Sequence, residues 1–264
     1  MKQSEKIRVM VKTMYDYQDM RVRTGNRLRK KKDGSEQKTE NMDTADMTEI
    51  PALVDVWQDT EEIEKNLAKE IEREVKSHPL WKGFLKDVKG CGPLMAGVII
   101  AEYDITIATT VSKLWQFTGL NPGMVRGKKP IGSKLDGTYG LKTTDTMIRG
   151  DRLTAGFIAP FNQFLRTKMV GVLGSSFLKC RSPYRDYYDN MKARLEAEEN
   201  KVSTADPEKA KAWKDESAGH RHNAAMRYMI KMFLKDLYVA WRTIEGLEVR
   251  APYQEEYLGH KHAG

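Results

Sequence analysis

Apolar residues recur at three- and four-residue spacing through most of this chain, and the pattern breaks in a few defined places. Ile7, Met10, Val11, Met14 and Tyr17 form one stripe and predict a helix over 4–31. Beyond Gln18 that helix turns basic, with Arg21, Arg23, Arg27, Arg29, Lys30, Lys31 and Lys32, which make either a solvated end or a phosphate-facing arm. Residues 33–48 hold almost no apolar side chain and many turn formers, so they read as a loop. Leu53, Trp57, Ile63, Leu67, Ile71 and Val75 predict a second helix from Pro51 to Lys76, supported by Glu61 and Lys65 at i,i+4. His78-Pro79 closes it, because the residue before a proline is pushed out of the α region. The two helices fold back on each other as an antiparallel hairpin, or pair with a second chain as a short coiled coil that would make a homodimer.

The stretch from Phe84 to Tyr103, FLKDVKGCGPLMAGVIIAEY, reads as a helix, a Gly-Cys-Gly turn and a second helix starting at Pro93. Gly90 and Gly92 have no Cβ and so can take positive φ and let another backbone come close. Pro93 suits the first position of a helix, where its missing N–H costs nothing. The N–H groups of the turn and helix start, at Gly90, Gly92 and Leu94, then face outward, where an anion can sit on them. Leu85, Val88, Val98 and Ile99 would clamp the two helices together. This is the pattern of a helix-hairpin-helix, a module that grips nucleic-acid phosphates through backbone amides. The plainer alternative is a helical hairpin with a glycine turn.

Residues 107–118 predict a short helix with Leu114, Trp115 and Phe117 facing the core, ended by Gly119. No apolar period survives over 123–146, GMVRGKKPIGSKLDGTYGLKTTDT, which reads as a long basic glycine-rich loop that orders on a nucleic acid. Helical patterning returns over 145–180, with Met147, Ile148, Leu153, Phe157, Ile158, Phe161, Phe164 and Leu165 as a buried face. A charged helix follows from Tyr184 to Glu199, then a polar loop over 200–218. His220 to Ile244 is a strong amphipathic pattern, with Met226, Met229, Ile230, Phe233, Leu234, Leu237 and Trp241 inward and Arg227, Lys231 and Lys235 as a basic stripe. No strand-rich region is evident. The expected fold class is all-α with long loops: an N-terminal helical hairpin or coiled coil over 1–79 and a helix-hairpin-helix domain over 80–264.

Charge sharpens the functional expectation. The 264 residues carry 45 Lys+Arg against 37 Asp+Glu, a formal net charge of +8, which favours a polyanionic partner. No run approaches the ~18 apolar residues that span a bilayer, and MKQSEKIRVM has no signal-type apolar core, so no membrane partner is expected and a cytoplasmic location is. Two cysteines, Cys91 and Cys180, rule out a disulfide framework and a cysteine-built zinc module. His220 and His222 at i,i+2 on a helix start do not share a face, and no carboxylate is placed to complete a metal site with them. Asp136, Asp145 and Asp151 are irregularly spaced and read as solvated. Neither a metal nor another cofactor is expected. Tyr184, Tyr187 and Tyr188 are aromatic candidates for stacking on bases.

Val88 to Glu102 (VKGCGPLMAGVIIAE), Leu114 to Pro122 (LWQFTGLNP) and the basic loop to about Leu135 come in an order that resembles the C-terminal domain of the DEDD insertion-sequence transposases, the "one-ten" family of RNA-guided recombinases. The resemblance covers roughly 80–260, with an insertion around 136–218. It implies DNA recombination and transposition, with an RNase-H-like N-terminal domain whose four acidic residues hold metal ions, a coiled coil for dimerisation and a serine nucleophile in the C-terminal domain. Nothing before residue 80 here alternates apolar strands with acidic ends, so that metal-binding half has no counterpart. The family serine lies a few residues beyond Gly-Leu-x-Pro, where this chain has Val125-Arg126-Gly127; the nearest candidate is Ser133.

The expectation is therefore a DNA-binding, transposase-like protein, with a structured RNA as the other possible partner. Its contacts would be Lys89, Gly90, Gly92, Leu94, Arg126, Lys128, Lys129, Lys134, Arg227, Lys231 and Lys235. The alternatives are a recombinase using Ser133 with a partner protein, and a helical interaction module for an acidic protein.

Overall fold

The computed structural model describes residues 2–28, 50–132, 139–202 and 210–250. Within them the protein is mostly helical, with one small two-stranded sheet. Helix α1 (Gln3–Leu28) and helix α2 (Pro51–Ser77) are the two amphipathic helices read from the sequence. They run antiparallel within one chain. Gln3 Nε2 donates to the Glu74 carbonyl at 2.9 Å, Lys6 pairs with Glu74, and Arg21 Nε meets Glu64 Oε2 at 2.7 Å. The hairpin arrangement that their stripes allowed is formed within this chain. His78 ends α2 in extended backbone at φ −70, ψ 136, as the following proline requires.

Helix α3 (Pro79–Gly83) and a 3₁₀ turn (Leu85–Asp87) replace the single helix expected before the glycine turn. Helix α4 (Pro93–Glu102) then starts at Pro93, as predicted. It is apolar on nearly all sides, and Met95 to Glu102 are all buried. The N-terminal hairpin packs on it where Gly97 removes a side chain. A Cβ there would lie 2.8 Å from Ile71 Cγ2 and 3.4 Å from Val75 Cγ2. One continuous core therefore joins Ile7, Val11, Met14, Ile71 and Val75 to Ala96, Ile100, Phe233 and Leu237.

Helix α5 (Val111–Phe117) ends in Gly119 at φ 73, a left-handed terminator that glycine takes without strain. Trp115 is core, but Phe117 is 41% exposed, contrary to expectation.

The segment read as a loop is an antiparallel ribbon of β1 (Met124–Ile131) and β2 (Gly140–Arg149). Met124 pairs with Arg149 and Ile131 with Gly140, with an irregularity between Arg126 and Lys128. Most of both strands is exposed on both faces, so no apolar alternation marked them. Isolated two-stranded ribbons are marginal. This one is held at its base: Ile148 is buried, Phe157 covers Gly127, and the Ile158 N–H donates to the Lys128 carbonyl at 2.8 Å. The helix expected over 145–180 consequently begins only at Asn162, whose side chain caps the Leu165 N–H at 3.0 Å. Met147 and Ile148 belong to β2, and Leu153 to Phe161 run as irregular chain.

From there α6 (Gln163–Arg166), a π-helical stretch (Thr167–Leu173) and α7 (Gly174–Lys179) form one continuous helix. It lies against helix α9 (Ala218–Ile244), where a Cβ on Gly174 would sit 2.5 Å from Met226 Cε. Helix α8 (Arg185–Ala197) also packs on α9, and Trp213–Asp215 make a 3₁₀ turn before it. Helix α9 is the central element, with Met226, Met229, Ile230, Phe233, Leu234, Leu237 and Trp241 buried as its pattern requires. Arg242 near its C-terminus donates through Nη1 to the carbonyls of Ile105 (2.9 Å) and Ala108 (3.1 Å). No helix among the described residues is long and apolar enough to cross a membrane.

Candidate nucleic-acid interface

The glycine turn has two faces. Gly90 has φ +96, the left-handed region the sequence called for. Its inner side is closed: the Ser176 hydroxyl donates to the Gly90 carbonyl at 2.7 Å, and a Cβ would meet Phe177 Cδ1 at 3.1 Å. Gly90 thus lets α7 dock on the turn. The Cys91 N–H is used by the Val88 carbonyl at 3.0 Å, and burial pushes the Cys91 thiol up to about 12. Gly92 differs: its φ of −75 suits any residue, it is exposed, and nothing lies within 4 Å of a Cβ built there. It is the N-cap of α4 and has no capping side chain to offer. The Leu94 N–H, in the first turn, has no intrahelical acceptor. Leu94 and Lys89 are exposed beside it.

Next to the turn a cavity of about 620 Å³ is lined by Lys89, Asp87, Asp186, Tyr187, Asn190 and Asp236, among others. Tyr184 donates to Asp236 Oδ2 at 2.9 Å, and burial followed by the Asp236 charge raises its phenol. Three carboxylates against one ammonium make this cavity a poor place for a phosphate. The open side of the turn is the outward one, at Gly92 and Leu94.

The β-ribbon gathers a second set. Arg126, Lys128 and Lys129 are exposed on β1, and Lys142, which the sequence reading did not single out, is exposed on β2. Lys129 and Lys142 are direct cross-strand partners. Like charges in that position destabilise a sheet. Lys129 Nζ also lies 4.7 Å from the centre of the Phe157 ring. Lys134 and Ser133 lie outside the described residues. No hydrogen bond or ion pair among the described residues joins the glycine turn to the ribbon.

Helix α9 does not present an open basic stripe. Arg227, Lys231 and Lys235 are each half-buried. The Lys231 carbonyl accepts from Trp115 Nε1 at 3.1 Å, and its ammonium lies 5.2 Å from the Trp115 ring centre. Burial and the neighbouring Arg227 lower the Lys231 ammonium to about 8. Arg227 is likewise depressed, first by burial and then by Arg166, Arg149 and Arg152, with Asp151 opposing. Asp151 is buried rather than solvated, held by Arg149 Nε at 3.0 Å.

His220 and His222 have separate partners, Glu216 at 2.8 Å and the Tyr188 hydroxyl at 2.7 Å. Among the described residues no group of three His, Cys, Asp or Glu side chains is placed to hold a metal. Tyr188 is buried, while Tyr187 lines the cavity beside the turn.

No family model matches this chain, and no curated protein matches it.

Proposed function

We propose that this protein binds duplex DNA through phosphate contacts, as a transposase-like DNA-binding protein. The observation that carries the reading is the cross-strand pair Lys129–Lys142 on an exposed ribbon that also bears Arg126 and Lys128. A protein on its own gains nothing by setting two ammonium groups opposite each other. A polyanion laid across them turns that repulsion into attraction. The major groove of B-DNA admits a two-stranded ribbon, and lysines flanking it would reach the phosphates on either side. The outward N–H groups at the start of α4, with Lys89, supply a second phosphate contact of the helix-hairpin-helix kind. The resemblance to the "one-ten" transposases supports DNA over RNA.

The test is binding of a labelled duplex and a structured RNA across a salt series. The variants are Lys128→Gln with Lys129→Gln, and Gly92→Glu, which fits the open space at that position. Affinity should fall linearly with salt on logarithmic axes, with a slope that drops by about 1 for each phosphate contact removed. The glutamate at position 92 should weaken binding without lowering the melting temperature. Salt-insensitive binding, or variants that bind like the parent, refute the reading. Tighter binding of the RNA moves the partner from DNA to RNA.

A further inference from the structure

Two arginines contact Asp151 at the base of the ribbon, and Arg152, Arg227 and Lys231 lie near enough for their charges to act on this group. Arg149 ends β2, Arg152 lies in the turn after it, Arg166 ends α6, and Arg227 and Lys231 are one turn apart on α9. Asp151 is buried among them with its charge already engaged: Arg149 Nε reaches Oδ1 at 3.0 Å and Nη2 reaches Oδ2 at 3.4 Å. Arg166 uses the Asp151 main-chain carbonyl instead, and its guanidinium lies 4.9 Å from the Phe161 ring centre. The Arg152 and Arg227 side chains have no hydrogen bond or ion pair among the described residues. Arg152 is exposed, and the other four cations are half-buried.

Burial strips hydration from a cation, and a hydrogen-bonded anion is the partner that best replaces it. Here the Asp151 carboxylate is bonded to Arg149, and Arg152 and Arg227 are left without a hydrogen-bonded anion among the described residues. The protein itself holds them together: Asp151 fixes Arg149 and Arg166, and the Trp115 indole fixes the α9 backbone at Lys231. Four planar guanidinium forks and one ammonium, held by separate elements, match an oxyanion with several equivalent oxygens. Burial is the main cause that lowers Lys231 and Arg227, and the neighbouring arginines push both further the same way against Asp151.

We propose that Arg149, Arg152, Arg166, Arg227 and Lys231 form one binding site for a phosphoryl group, either a phosphodiester of a nucleic-acid strand or a free phosphate ester. The first source rests on the nucleic-acid reading above, and the second does not.

The experiment measures thermal stabilisation of the full chain by pyrophosphate and by inorganic phosphate, each against chloride at equal ionic strength. It also measures duplex DNA affinity across a salt series. Both are repeated for Arg152→Gln, an exposed change that spares the fold, and for Arg227→Gln. If pyrophosphate raises the melting temperature by mass action and either variant weakens it by about tenfold, the site takes free phosphate esters. If pyrophosphate has no effect but both variants lower duplex affinity and flatten its salt dependence, the site takes the strand phosphodiester. If neither ligand responds to either variant, the proposal is overturned, whether or not the ribbon variants alter DNA binding. Loss of DNA binding through the ribbon alone would leave the nucleic-acid reading standing without this site.

Discussion

Lys142→Glu separates folding from binding with effects of opposite sign. The change converts the cross-strand pair with Lys129 from like to unlike charge. Directly opposed residues on a ribbon have Cβ atoms about 4.5–5.5 Å apart, and a charged pair there is worth roughly 0.2–1 kcal/mol in either direction. Reversal removes a repulsion and adds an attraction, so the ribbon should gain up to about 1 kcal/mol after screening of two exposed side chains. The gain is local, because the ribbon touches the body chiefly through Phe157, Ile148 and Gly150. Hydrogen exchange of the β1 and β2 amides reads it better than global melting. Duplex affinity should move the other way, with the salt slope falling by about 1 for the lost contact and the new carboxylate adding repulsion. Slower ribbon exchange together with weaker, less salt-sensitive binding is the expected pair of results. Unchanged affinity would refute the functional argument, and faster exchange would refute the electrostatic one.

Gly90→Val should lower the melting temperature, because it forces a β-branched residue to φ +96 and drives its Cβ into Phe177; Gly92→Ser, in open backbone at the N-cap of α4, should leave melting unchanged or slightly raised. Gly97→Val, checked by chemical denaturation, should cost at least the ~1–3 kcal/mol of overpacking, since the Ile71 and Val75 methyls it meets sit on helical, rotamer-locked side chains. Lys231 is held at about 8 in the fold against 10.5 for a free lysine, so the unfolded chain binds more protons above pH 8 and stability should rise from pH 8 toward pH 9. Cys91, held up to about 12 in the fold against 9.0, gives the opposite slope above pH 9, and Lys231→Met should abolish the lower rise. Alkylation of the native protein at neutral pH should label the exposed Cys180 and spare the buried Cys91.

The long helices were legible because each hides one stripe and shows the rest to water, so the spacing of Ile7, Val11 and Met14 or of Met226, Ile230 and Phe233 states the answer directly. The start of α4 at Pro93 and the positive φ of Gly90 followed from single-residue stereochemistry. The ribbon was illegible for the converse reason: residues wet on both faces leave no period of two, and its few anchors, Gly127, Ile148 and Phe157, are scattered between strand and irregular chain. The candidate phosphate contacts of β1 were found by their charge alone, while Lys142 was missed because its importance lies in the strand register. The cation cluster around Asp151 was hidden likewise, since its members come from β2, a turn, α6 and α9. Its one sequence trace was Arg227 and Lys231 on what looked like an outer face of α9.

Gly97 bears on how this chain can be inherited or cut. The N-terminal hairpin reaches the body through a seam with no room for one extra methyl, and α4, apolar on nearly all sides, has the hairpin as its cover there. A fragment beginning after Ser77 would bare the α4 face that Val11, Ile71 and Val75 now shield, and it should associate with itself rather than remain a soluble miniature. A fusion, a recombination event or a shortened expression product that kept the glycine turn but lost the hairpin would carry an exposed core with it. The hairpin and the glycine turn should therefore travel together, and the solubility of the shortened fragment checks it.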